Sequence, residues 1–424
     1  MAEIRISIDR LQIGNYIKLP LGWRDHPFLL SSFLLRHDDQ IQLIRQLGLK
    51  YVLIIPEKSD KPPLPAKTLE NVPVLDQENP DEISALHEKM KTEKDARIEE
   101  LKEYRRNLQK TEKTFQRSLI QMKQLIAKLQ QRPLEAIREA NELISEMTSQ
   151  LMAADQMVLH LMSDSPKNEN LYYHSINVAI LSMMMAKQAG MTEAQIKLIG
   201  MASVFHDIGK FKIPSQILRK TEPLTTPEEN LYRMHPQYSL ALLNMAPDFP
   251  GEAKGIILKH HERLDGSGYP DGLKENRIDE LSQLVGVVDA YDSLCHPTTG
   301  GKAAATPHTV LSYMFKHQTK QLNKDYIGLL IKHLGVYPPG SVVELSNGQV
   351  GLVMSVNSQR LLYPCVMIYD ATVPRNEAAI VDLENVNLSI KRVLLPSRLP
   401  QEIFDYLSPR TRISYFFDSA SGAS

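Results

Sequence analysis

Five histidines and two aspartates, His174, His206, Asp207, His235, His260, His261 and Asp289, constrain this chain more than any other feature. Imidazole nitrogen and carboxylate oxygen are the donors that hold two or more first-row transition metals a few ångströms apart. Two such metals can activate a water and clamp a phosphate. If all seven act together, separate helices must converge on one buried point. The set points to a metal-dependent phosphohydrolase.

Hydrophobic periodicity divides the chain into four parts. Residues 1–80 read as a small α/β module and linker, with an amphipathic helix around Ile41–Leu47, a buried strand over Leu49–Ile55 and a Pro/Lys/Asp-rich stretch from Glu57 to Pro80. Residues 81–133 read as one long helix. In it Leu101, Tyr104, Leu108, Thr111, Phe115, Ser118, Met122, Leu125 and Leu129 fall on alternating steps of three and four, and Pro133 ends or kinks it. That spacing has two readings: a coiled-coil seam, or an amphipathic helix packed on its own chain. Residues 134–335 are predicted all-helical. Residues 336–424 read as a β appendage, with Val342–Leu345 and Val350–Met354 joined across Asn347-Gly348 and a disordered tail over Ser419–Ser424. The expected fold is therefore mainly α: a helical phosphohydrolase core, a small N-terminal α/β module, a long helical linker and a small C-terminal β appendage.

Taken singly, the candidate residues keep bland readings beside functional ones. His174 lies in line with Val178, Leu181 and Met185, so its ring faces the core either as a ligand or as a hydrogen-bonded core histidine. Asp289 follows Leu281 and Val285 on an apolar stripe. A carboxylate buried there binds metal or pairs with a buried cation. Neighbouring positions on a helix diverge by about 100°, so His206 and Asp207 serve one centre if the carboxylate bridges metals or the helix frays. Lys210 is either a phosphate contact or a surface lysine. The loop Gly266–Gly272, with Gly268, Tyr269 and Pro270, brings backbone close to a ligand or simply turns the chain.

The ordered set is far more specific than its members. His174, His206-Asp207 with Lys210, His235-Pro236, His260-His261 followed by Asp265-Gly266-x-Gly268-Tyr269-Pro270, and Asp289-Ala290-Tyr291-Asp292 closely resemble the HD-GYP branch of the HD phosphohydrolase superfamily. The resemblance spans about Asn170 to Leu334. Trp23, His26-Pro27-Phe28 and the Val52–Ile55 strand look like the domain of unknown function that often precedes HD-GYP domains in bacteria. The resemblance implies hydrolysis of cyclic di-GMP to pGpG, and in some members to GMP, with iron or manganese as the metals. It assigns metal binding to His174, His206, Asp207, His235, His260, His261 and Asp289, catalysis to Asp207 and Lys210, and substrate contacts to Lys210, Gly268, Tyr269, Pro270 and Lys302. The chain departs from the family twice. Asn170 stands where three-metal members carry a glutamate, which implies a centre of two divalent ions. His296–Lys302 replaces the usual Asp-Arg-Pro-Tyr-basic run and leaves Lys302 as its cation.

Composition sets the remaining bounds. A net charge of −1 advertises no nucleic-acid polymer, and the two cysteines, Cys295 and Cys365, form no disulfide framework. The first residues lack signal-peptide order and the apolar run Val178–Ala186 is shorter than a bilayer, so a cytoplasmic location without membrane insertion is expected. Cyclic di-GMP is the expected small-molecule partner. The heptad reading adds a parallel homodimer through residues 101–129, and the N-terminal module adds signalling partner proteins. Two other functions fit the same residues: a catalytically weak cyclic di-GMP sensor, or a phosphohydrolase of another nucleotide.

Overall fold

The computed structural model describes residues 3–22, 25–28, 30–65, 80–129, 131–153, 157–161, 170–300, 305–356, 361–371, 373–375, 378–385, 388–409 and 415–419. In the N-terminal module, strands β1 (Ile4–Ser7), β2 (Tyr16–Lys18), β3 (Ser32–Leu34) and β4 (Tyr51–Ile54) form an antiparallel sheet in the order β1-β4-β2-β3. Helix α1 (Asp38–Gln46) packs Ile41, Leu43 and Ile44 into the same core as Ile17, Val52 and Ile54.

Helix α2 runs from Pro80 to Lys128, and α3 (Pro133–Ala153) begins on the proline expected to stop it. Proline fits a first helical position because its missing N–H would have no partner there. The two ends of α2 have different neighbours. Near its start Met90 packs on the N-terminal core, and Lys94 Nζ donates to the His26 carbonyl at 2.7 Å. Near its end Phe115, Leu119, Met122, Leu125 and Leu129 are buried in the main helical core. From Phe115 onward the seam is thus covered by the chain itself. The side chains of Leu101, Tyr104, Leu108 and Thr111 lie outside the described residues.

The main core is built from α3, α4 (Asn170–Gln188), α5 (Glu193–Phe205), α8 (His235–Leu243), α9 (Gly251–Lys259), α10 (Glu280–Cys295), α11 (Pro307–His317) and α12 (Lys324–Leu334), with short α6 (Ser215–Leu218) and α7 (Thr226–Tyr232) outside it. Helix α4 is buried on all sides from Tyr173 to Ala186, as befits the central helix of a bundle. It packs on α5 and α10, and α5 packs in turn on α3 and α9. Caps fix where the helices begin: Thr192 and Gln195 form a capping box on α5, and Asp279 caps α10 through the Ser282 N–H at 3.0 Å.

One element departs from the all-helical expectation. Met157–Leu161 forms strand β5, paired antiparallel with Tyr415–Ser419. The apolar run Met157-Val158-Leu159-His160-Leu161 finds its backbone partners in a segment from the far end of the sequence, which local periodicity cannot signal. The other C-terminal strands, β6 (Val342–Leu345), β7 (Val350–Ser355), β8 (Cys365–Ile368), β9 (Ile380–Asp382) and β10 (Ile390–Leu394), form an antiparallel sheet in the order β10-β6-β7-β8-β9. Helix α13 (Gln401–Leu407) follows and β11 (Tyr415–Ser419) closes the described chain; Ser419, expected in a disordered tail, instead pairs with Met157 because β5 supplies its backbone partner, and residues 420–424 lie outside the described residues. Leu30 of the N-terminal module packs on the core of the five-stranded sheet. Among the described residues no helix is long and apolar enough to cross a membrane.

Phe115 has no exposed surface and its ring centroid lies 5.8 Å from that of Tyr173. Truncation to alanine leaves a cavity, so Phe115→Ala is expected to lose about 3–5 kcal/mol of stability. Urea unfolding followed by circular dichroism measures this, and a loss within experimental error would show that α2 does not support the core.

Candidate metal centre

The turn between α5 and a 3-10 helix over Ile208–Lys212 carries His206 and Asp207 into the core, where neither has exposed surface. Ser239 of α8 secures that turn: its hydroxyl donates to the His206 carbonyl at 2.8 Å and accepts from the Gly209 N–H at 2.8 Å. A Cβ on Gly209 would lie 2.0 Å from the His235 carbonyl oxygen, so only glycine lets α8 approach this closely. The contact sets His235 opposite Asp207.

Around Asp207 the seven predicted ligands converge. Its Oδ1 lies 3.2 Å from His235 Nε2, and its Oδ2 lies 3.4 Å from His174 Nε2 and 3.5 Å from His206 Nε2. Asp289 Oδ1 is 3.1 Å from His174 Nε2, and its Oδ2 is 3.4 Å from His261 Nδ1. Two sets of donors fall within 4.8 Å of one another: Asp207, His235, His260 and His261, and His174, His206 and Asp207. Asp207 belongs to both. Asp289 stands outside these sets but touches a histidine of each.

Each imidazole outside His261 is oriented by its Nδ1. His206 Nδ1 faces the Ser203 carbonyl at 2.7 Å, His235 that of Tyr232 at 2.8 Å and His260 that of Ile257 at 2.6 Å. In all three the acceptor belongs to the residue three positions earlier, at or next to a helix end whose last carbonyls lack intrahelical partners. His174 Nδ1 faces Asp292 Oδ2 instead, at 2.7 Å. A carbonyl or carboxylate accepts only, so each of these Nδ1 atoms carries a proton and Nε2 is the nitrogen turned inward, free to bind metal once it carries no proton. His260 Nε2 is buried without a hydrogen-bond partner among the described residues. An orphaned imidazole nitrogen among carboxylates, with no thiolate near, fits a divalent first-row metal.

The charges agree with this. Burial pushes His260 and His261 well below the usual imidazole range, and neighbouring imidazoles push the same way. Burial likewise lowers His235. Burial alone would raise Asp207, but Lys210, His206 and His235 outweigh it and hold the carboxyl well below the usual range. For Asp289, His261 and His174 do the same. Burial opposes a charge on His174 as well, yet Asp289 and Asp292 bring it up to about 9.

Lys210 leaves the same turn and pairs with Asp207 Oδ2, its ammonium 5.4 Å from the centre of the Tyr232 ring. Burial is outweighed by Asp207, which holds the lysine above its ordinary range. The Gly268-Tyr269-Pro270 loop packs beside the cluster: the Tyr269 ring lies 4.6 Å from that of His261, tilted by 30°. A Cβ on Gly268 would fall 2.4 Å from the Arg263 nitrogen, so the loop lies hard against the chain that leaves His261. Lys302 lies outside the described residues, as does the side chain of Asn170.

Three residues that sequence reasoning gave no role organise the site. Asp292 orients His174. Ser239 ties α8 to the His206–Gly209 turn. The buried Glu262 accepts from the Asp271 and Leu273 N–H groups at 2.7 and 2.8 Å and pins the loop beyond Pro270. Asp292 carried a readable signal, since it sits three residues after Asp289 and shares its helix face.

Residues 140–324 match the HD domain family, and residues 3–140 match a domain of unknown function, DUF3391. Over 371 residues the chain is 29% identical to a cyclic di-GMP phosphodiesterase of Pseudomonas aeruginosa, covering 86% of this chain and 84% of that one. A cyclic di-GMP phosphodiesterase response regulator of Xanthomonas campestris is 31% identical over 212 residues, which are 50% of this chain and 53% of the regulator. A 3′3′-cGAMP-specific phosphodiesterase of Vibrio cholerae is 34% identical over 161 residues, 38% of this chain and 31% of that one. Among solved structures, an HDG"Y"P protein from Bdellovibrio bacteriovorus aligns with a TM-score of 0.41 at 15% identity, covering 78% of this chain and 98% of that one.

With its value raised to about 9, His174 carries a proton at neutral pH that a metal must displace. Metal uptake by the stripped protein at pH 7 is therefore expected to release protons, and affinity to rise as pH approaches 9. Calorimetric titration in two buffers of different ionisation enthalpy reads the release. Identical heats in both would exclude it.

Proposed function

We propose that this chain, which carries an HD domain of the HD-GYP type behind an N-terminal DUF3391 module, is a metal-dependent phosphodiesterase that hydrolyses cyclic di-GMP. The observation that carries the proposal is Asp207: one buried carboxylate common to two sets of metal-binding atoms. In this reading His174, His206, Asp207 and Asp289 would hold one divalent ion, and Asp207, His235, His260 and His261 would hold another. The mixed nitrogen and oxygen donors suit iron or manganese. Such a pair supplies an activated water and positive charge for the phosphate oxygens.

The chain's own residues do the rest. The Nδ1 hydrogen bonds keep the imidazoles aimed, so that ligand geometry is set before substrate arrives. Lys210 is held charged beside Asp207, where its ammonium can meet a non-bridging phosphate oxygen. Tyr269, with burial raising its phenol well above the ordinary value, stays neutral and braces His261. In this reading Gly268, Tyr269 and Pro270, whose loop lies beside His261, would contact the dinucleotide. Similarity to a 3′3′-cGAMP-specific phosphodiesterase favours a second reading, in which another cyclic dinucleotide is the substrate.

Turnover of cyclic di-GMP and 3′3′-cGAMP by protein purified without oxygen, with metal content measured on the same sample, tests both readings. Absence of hydrolysis of either by metal-loaded protein would overturn the proposal. Asp207→Ala is expected to abolish turnover and lower metal content. Lys210→Ala removes only part of the charge stabilisation and is expected to slow kcat by about 10²–10³-fold with metal retained. Equal residual rates in the two variants would contradict these roles.

A further inference from the structure

The segment that follows α10 departs from the family pattern, and the structure gives its first residue a definite contact. His296 Nδ1 lies 3.2 Å from Asp292 Oδ1, and the same oxygen accepts from Asn177 Nδ2 at 2.9 Å. The other oxygen of Asp292 faces His174 Nδ1 at 2.7 Å. Asp292 has no exposed surface. Carboxylate oxygens accept, so both imidazoles present Nδ1–H to Asp292. Further along, Thr299 Oγ1 donates to the Leu218 carbonyl at 3.0 Å and the Gly300 N–H to that of Lys220 at 2.9 Å. These bonds anchor the segment to the end of α6 and the turn that follows it.

We propose that His296 is a positioning residue for the metal centre: through Asp292 it fixes the orientation of His174. The segment thus braces the first metal site from behind, where relatives of this pattern carry basic residues. The proposal takes from the proposed function the assignment of His174 as a ligand. A carboxylate free to rotate would let the imbedded ring of His174 turn about its χ angles, and outer contacts of this kind typically change metal affinity by about 10–100-fold. Asn177 still holds Asp292 when His296 is lost, so the effect is partial.

The test is titration of cobalt(II) or manganese(II) into the metal-stripped full chain, read by calorimetry and, for cobalt, by visible absorption. His296→Ala is expected to weaken one of the two binding steps about 10–100-fold and to alter the cobalt spectrum. Asparagine places an amide nitrogen close to where His296 Nδ1 sits, so His296→Asn is expected to restore both. His296→Leu fills similar space without a donor and should behave as alanine does, which keeps the comparison intact if the alanine variant does not fold. At saturating metal, KM for cyclic di-GMP is expected to stay at the wild-type value. Wild-type metal affinity in His296→Ala or His296→Leu would overturn the positioning role, as would failure of His296→Asn to restore binding. An increase in KM with metal binding intact would make the segment a substrate contact instead. Wild-type protein that binds two metals yet leaves cyclic dinucleotides intact would sink the phosphodiesterase reading and leave this inference standing.

Discussion

Two ionised carboxylates, Asp207 and Asp289, lie in the middle of a helical core, and much of the local architecture answers to that fact. Burying an unpaired carboxylate costs several kcal/mol even after relaxation. The cost is offset only when cations or N–H groups converge on it from every open direction. Helices α4, α5, α8, α9 and α10 therefore cannot pack in any arrangement that merely covers apolar surface. They must deliver His174, His206, His235, His261 and Lys210 to two side chains. Gly209 and Gly268 show the same demand in the backbone, because each lies where a Cβ would collide with neighbouring main chain.

The mode of ligand orientation links helix termini to chemistry. A helix end leaves carbonyls without partners, usually a liability in a dry interior. Here the ends of α5 and α9, and the turn after α7, turn that liability into a fixture for an imidazole three residues on. The same hydrogen bond satisfies a buried carbonyl and selects a tautomer. His174, placed within α4 and away from such an end, has a side-chain acceptor instead, Asp292 Oδ2.

Much of this was legible in the sequence, for identifiable reasons. The helices α4, α5, α9 and α10 are apolar segments set off by breaks at Gly190, Gly209–Pro214, Pro247–Gly251 and Gly266–Gly272, and the seven candidate ligands recur in an order that resembles one family. The hairpin at Asn347-Gly348 and the stop at Pro133 follow from local backbone chemistry. What was hidden depends on distant partners. Strand β5 pairs with a segment from the other end of the chain, so its apolar run looks helical in isolation. The seam of α2 satisfies either a second chain or its own core, and only packing around Phe115 and Met122 shows the second in that half. Ser239 and Glu262 act through backbone groups, which no side-chain pattern announces.

Helix α2 is also a mechanical element. From Lys94, fastened to the N-terminal module, to Phe115, against the ring next to His174, is a rigid span of about 32 Å at 1.5 Å per residue. Tilting such a rod by about 5° about one end displaces the other by nearly 3 Å, whereas a metal ligand is useful only within about 0.2 Å of its place. The geometry is that of a long lever resting on a narrow tolerance. One continuous helix thus joins the seat of Met90 and Lys94 on the N-terminal module to the packing of Phe115 on Tyr173, the neighbour of His174.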